Sequence, residues 1–207
     1  MSHTLHRRGS EEDLKYDFPV LAMGAQGINR DGIAPKLGKI VDIMSKHHPV
    51  FYSCPPKGNS LTVSHDEMVN GAKDNSVAHA VFKSEEDLVA LLKDLKDADL
   101  GVSVTVSGLF DHVHECCRKV GLEPHTVNTS LGIYGRTEML PQEKILEIST
   151  MCGHGMVSFA LIKTCVEEIK SGAKTPHEAA MQLAPNCICG IFNIDRAERI
   201  LMRLSQE

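Results

Sequence analysis

Apolar and polar positions along this chain change their period twice. Residues 18–23 form a continuous apolar run, which predicts a buried strand. A glycine-rich stretch follows at 24–32. Apolar residues then recur at Leu37, Ile40, Val41 and Met44, the three-and-four spacing of a helix over 35–47. Residues 49–76 carry no clear period. Within them 54–59 is turn-rich, 61–63 reads as a short strand, and Ser64 with Glu67 three positions on marks a helix start. The clearest pattern comes next. A strand over 77–82 leads into a Ser84-capped helix over 85–96, with Leu88, Leu91, Leu92 and Leu95 inward. A strand with alternating positions covers 101–106, a helix runs from Gly108 to about Val120, and a third strand is expected over 124–128. This is a β-α-β-α-β order. Parallel neighbours would be joined by right-handed crossings. A split arrangement with antiparallel partners fits the same pattern.

Beyond Pro141 the strand signal disappears. Helices are expected over 141–149, over 157–170, from a Thr175 cap with Pro176 and Glu178, and from an Asn193 cap through 194–204. The fold class is therefore α/β (or α+β): a β-α-β-α-β layer in the N-terminal two-thirds and a C-terminal helical subdomain. The organisation reads as a polar N-terminal arm over 1–16, an α/β domain over 17–140 and a helical metal- or cluster-binding unit over 141–207. The arm is most simply a solvated tail, although His3, His6, Arg7 and Arg8 could dock on an anion or a second subunit.

Composition narrows the function classes. The chain has 207 residues, 42% hydrophobic and 24% charged, close to an ordinary globular domain. A net charge of −5, 4% aromatics and no tryptophan point away from nucleic acid. No apolar run approaches the length of a membrane span, and the N-terminus has no apolar signal core, so a cytoplasmic protein is expected. Seven cysteines, an odd number, then read as thiols or metal ligands. A protein partner or homo-oligomer and a small-molecule ligand are expected; nucleic acid and membrane are not.

The candidate chemistry lies in two tight pairs, Cys152-Gly153-His154 and Cys187-Ile188-Cys189, with glycine following each at 155 and 190. Thiolate and imidazole are the donors of zinc and of iron–sulfur centres. Glycine lets the backbone approach a ligand closely, and the amides of such bends can point at sulfur. A helical hairpin between the pairs would return the chain to its starting end. With His154 as fourth donor the set suits structural zinc. With Cys165, on the intervening helix, four thiolates suit a [4Fe–4S] cluster, which is slightly preferred for the N–H donors these loops offer. Small core cysteines without metal, and a redox-active dithiol at Cys187 and Cys189, are the competing readings. On the helix after Gly108, Asp111, His112, His114, Cys116 and Cys117 divide between two faces and cannot serve one ion. A second candidate site, for a small molecule, is expected at strand-end loops from Gly24, Gln26, Asn29, His125 and Asn128. The function expected is a metalloprotein in a redox or accessory role. The alternatives are an α/β enzyme with that small-molecule pocket and a structural zinc, and an assembly protein without metal.

Overall fold

The computed structural model describes residues 4–207. Four strands form one antiparallel sheet: β1 (Phe18–Met23), β2 (Phe51–Ser53), β3 (Val77–Phe82) and β4 (Ser103–Val106), in the order β2-β3-β1-β4. A short helix α1 (Glu11–Leu14) precedes β1. Helix α2 (Ala34–Ser45) joins β1 to β2, α3 (His65–Asn70) joins β2 to β3, and α4 (Glu85–Ala98) joins β3 to β4. Helix α5 (Phe110–Lys119) follows.

Both β1 and β3 are central, paired from Phe18↔Phe82 to Met23↔Val77. β3 and β4 run parallel to each other but do not touch, because β1 lies between them. β1 and β2 are separated in the same way by β3. The result is two interlocked split β-α-β units. The period-two and period-3.6 signals specify strands and helices but not which strand inserts between which, so antiparallel neighbours replace the parallel crossings.

Alternation along the strands sets the two faces. Phe18, Val20 and Ala22 of β1, with Ala78, Ala80 and Phe82 of β3, pack against Leu37, Ile40 and Met44 of α2, Leu88 and Leu91 of α4, and Cys116 of α5. Phe51 and Val81 point the other way and join the core of the helical unit. That unit comprises α6 (Glu143–Ser149), α7 (Phe159–Lys170), α8 (Pro176–Leu183) and α9 (Ile194–Ser205). Capping boxes start α3 at Ser64/Glu67 and α8 at Thr175/Glu178, and Asn193 caps α9 through the Arg196 N–H.

Three local expectations change. Residues 61–63 form a turn held by Asn59, whose side-chain carbonyl accepts from the Leu61 N–H at 3.0 Å. Residues 124–128 form no strand and lie exposed beside α5. The missing strand is β2, only three residues long and too short for periodicity to register. Among the described residues no helix is long and apolar enough to cross a membrane.

The arm is clasped rather than solvated. Asp17 takes two guanidinium groups at once, Arg7 at 2.7 Å and Arg196 of α9 at 2.8 Å, all three side chains being buried. Asn193 Nδ2 donates to the Tyr16 carbonyl at 2.9 Å and to Asp17 Oδ1 at 3.1 Å. Arg7 also donates to the Ile191 carbonyl, and the Arg8 N–H donates to Thr150 Oγ1 at 3.0 Å. Residues 7 and 8 therefore tie β1 to both ends of the helical unit. His3 lies outside the described residues.

Candidate metal centre

Two bends of the same construction face each other at the junctions of the helical unit. In the first, between α6 and α7, the Gly155 N–H donates to the Cys152 carbonyl at 2.9 Å. In the second, between α8 and α9, the Gly190 N–H donates to the Cys187 carbonyl, also at 2.9 Å. Gly155 has φ +69° and Gly190 φ +59°, a conformation side-chain-bearing residues rarely adopt. Each bend is thus Cys-x-donor-Gly, the donor being His154 in one and Cys189 in the other.

The bends meet. Although 35 positions separate their first cysteines in sequence, the Cys187 thiol sits close enough to Cys152 for each to shift the other. Cys189 Sγ lies 3.5 Å from His154 Nδ1. Amides are aimed at both leading sulfurs: those of Met156, His154 and Val157 at Cys152, and that of Ile191 at Cys187. The Cys187 hydrogen bond first, and then these amides, hold Cys152 well below the usual thiol range against the opposing effect of burial. Cys187 is pushed the other way, by donating to Cys152, by burial and by the neighbouring negative charge. The two thiols are thus shifted in opposite directions. Burial and the same charge raise Cys189 to about 11.

The sheet fixes the second bend directly. Ser53 of β2 donates its hydroxyl to the Cys189 carbonyl at 2.5 Å. A Cβ on Gly190 would come within 2.7 Å of Ser53 Cβ and 2.8 Å of the Tyr52 carbonyl carbon. The arm completes the surround. Arg7 bonds the Ile191 carbonyl just past the bend. His6 helps wall a cleft of about 360 Å³ that opens onto Cys152, with Ser149, Thr150 and Phe159 on its other sides.

Cys165 sits elsewhere in the helical core. Its thiol points at Gln182 Oε1 of α8, 3.7 Å away, and burial raises its pKa. With the side chains as they stand, no three His, Cys, Asp or Glu groups among the described residues are arranged to hold a metal ion. The four donors form two contacting pairs, and side-chain rotations would be needed to aim them at one point.

The small-molecule site expected at strand-end loops is divided. His125 and Asn128 wall a cavity of about 710 Å³ together with Thr105, Ser107 and His114. Gly24, Gln26 and Asn29 are not part of its wall. Asn29 instead stitches its loop to the strand beyond, accepting from the Ala25 N–H at 2.8 Å and donating to the Gly101 carbonyl at 2.7 Å. The amides at the start of α2, on Gly32 and Ala34, are taken by the Asp74 carboxylate at 2.9 and 3.0 Å. These hydrogen bonds hold Asp74 below the usual carboxylate range. Amides that could bind an external anion at this helix start are thus occupied by the protein's own carboxylate.

On α5, His112 contacts Glu85 at 2.5 Å and His114 packs on Phe110, while Cys116 is buried and pushed up to about 11 by that burial. The helix has one wet and one buried side. The supporting residues that the sequence does not single out are Ser53 and Asp17, while Arg7, expected to meet an external anion or a second subunit, pairs with Asp17 of its own chain. Ser53 belongs to the strand that periodicity misses, and Asp17 is a lone acid at the junction between the polar arm and β1. Comparison of the chain with family models, with curated proteins and with solved structures gave no match.

Proposed function

We propose that this chain is a metal-binding protein whose Cys152, His154, Cys187 and Cys189 hold one thiophilic ion, zinc, in an accessory rather than a catalytic role. The observation that carries this reading is the meeting of two Cys-x-donor-Gly bends, with Cys189 Sγ 3.5 Å from His154 Nδ1 across them. Three thiols and one imidazole make the donor set of tetrahedral structural zinc. Amides aimed at the sulfurs supply the outer hydrogen bonds that such ligands require. Between zinc and a [4Fe–4S] cluster, zinc is favoured because the fourth thiolate a cluster would take, Cys165, faces Gln182. An ion here would neutralise the thiolates and lock the two bends together. Arg7, Ser53 and Gly190 position the second bend, and the amides of residues 154, 156 and 157 position the first. Cobalt(II) substitution tests the reading. A stoichiometric tetrahedral spectrum with thiolate charge-transfer bands is expected, reduced in Cys189→Ser and His154→Ala. A featureless octahedral spectrum would overturn it.

A second reading, of a small-molecule site, rests on the cavity walled by His125 and Asn128. Ligand-induced thermal stabilisation that His125→Ala abolishes would support it.

A further inference from the structure

We propose that, without its ion, the same centre carries out thiol–disulfide exchange: Cys152 attacks a low-molecular-weight disulfide in the adjoining cleft, and Cys187 resolves the product. This rests on the reading of the two bends as one centre. Three placements support it. Cys152 is the one cysteine among the residues walling the 360 Å³ cleft, so a disulfide seated there meets Cys152 rather than Cys187 or Cys189. Cys187 is fully buried, and it sits close enough to Cys152 for each thiol to shift the other. The cleft combines apolar Leu146 and Phe159 with the polar groups of Ser149, Thr150 and His6, a wall suited to a small peptide disulfide such as oxidised glutathione.

The chemistry balances as two exchanges. Cys152 sulfur attacks one sulfur of the ligand. The ligand's S–S bond breaks, its first half leaves as a thiolate that takes up a proton, and a mixed disulfide remains on Cys152. Cys187 then gives up its proton and attacks Cys152 Sγ. The mixed disulfide breaks and the second half leaves as a thiol. The protein is oxidised to a Cys152–Cys187 disulfide, and one small disulfide is reduced to two thiols. Cys189, with His154 beside it, is left out of the exchange.

The test uses the full chain, reduced and treated with a chelator, then exposed to oxidised glutathione and mapped by peptide mass spectrometry. Wild type is expected to yield the Cys152–Cys187 crosslink with both glutathione halves released. Cys187→Ser is expected to stop at a stable glutathione adduct on Cys152. A crosslink between Cys187 and Cys189, an adduct confined to Cys189, or no reaction in the folded wild-type chain would overturn the proposal. The wild-type map needs no variant to fold. A chain that takes no zinc yet forms this crosslink would refute the zinc reading alone. A chain that takes zinc through all four donors yet never joins residues 152 and 187 would refute the exchange alone.

Discussion

The hydroxyl of Ser53, on the edge strand β2, donates to the carbonyl of Cys189, 136 positions later, at 2.5 Å. This bond fastens one cysteine bend to the sheet. Ser53→Ala leaves a shielded carbonyl without its donor, at a cost of about 1–3 kcal/mol. Chemical denaturation should register that loss. Zinc affinity should fall with it, because the second bend is then less firmly placed.

Gly190 is constrained twice, by its positive φ and by the backbone of Tyr52 within 3 Å of any added Cβ. Gly190→Ala is expected to destabilise the fold by roughly 2–5 kcal/mol, combining left-handed strain with overpacking. Gly155 has open space around it, so Gly155→Ala should lose only the strain, about 1–2 kcal/mol. Thermal melts of the two variants side by side check the difference.

Asp17 balances two buried guanidinium groups. Replacing it with alanine strands both charges, which costs about 3–5 kcal/mol when a buried pair is broken in this way. Asp17→Ala should also free residues 4–8, seen as faster amide exchange there and at Ile191, whose carbonyl Arg7 holds.

Much of this architecture was legible from the chain, and the limits have physical causes. The Ser64, Ser84, Thr175 and Asn193 caps sit where local chemistry specifies them, because a cap needs only its own first turn. The apolar runs of β1 and β3 are unmistakable because both strands are central and almost wholly buried. β2 was not legible: three residues cannot display a period, and its pairing depends on β3, more than twenty positions away. Arg196 was also opaque. On an amphipathic helix an arginine reads as solvent-facing, and only the fold brings Asp17 beneath it. The cysteine bends were visible as a motif. Their meeting, and the turn away of Cys165 toward Gln182, are tertiary facts.

In the metal-free chain the Cys152 thiol is depressed by the Cys187 hydrogen bond and the surrounding amides. A depressed acid stabilises the fold above its unfolded pKa, about 8.5 for a thiol, and that contribution fades as pH falls toward the folded value. Cys187 is raised, so its contribution holds below the same unfolded value and fades as pH climbs past it. The stability gap between wild type and Cys152→Ser should therefore peak near pH ~8.5 and shrink on both sides. Urea titrations across that range measure it. A gap that stays flat with pH would show that the two thiols are not shifted in opposite directions.

Elemental and acid-labile sulfide analysis of the chain purified without air bears most directly on whether Cys152, His154, Cys187 and Cys189 form one centre. One tightly held zinc per chain, no labile sulfide, and loss of the zinc in Cys187→Ser are the expected results. Stoichiometric iron with sulfide would replace zinc by a cluster. A chain free of any thiophilic metal, melting unchanged after zinc is added, would contradict the metal centre outright.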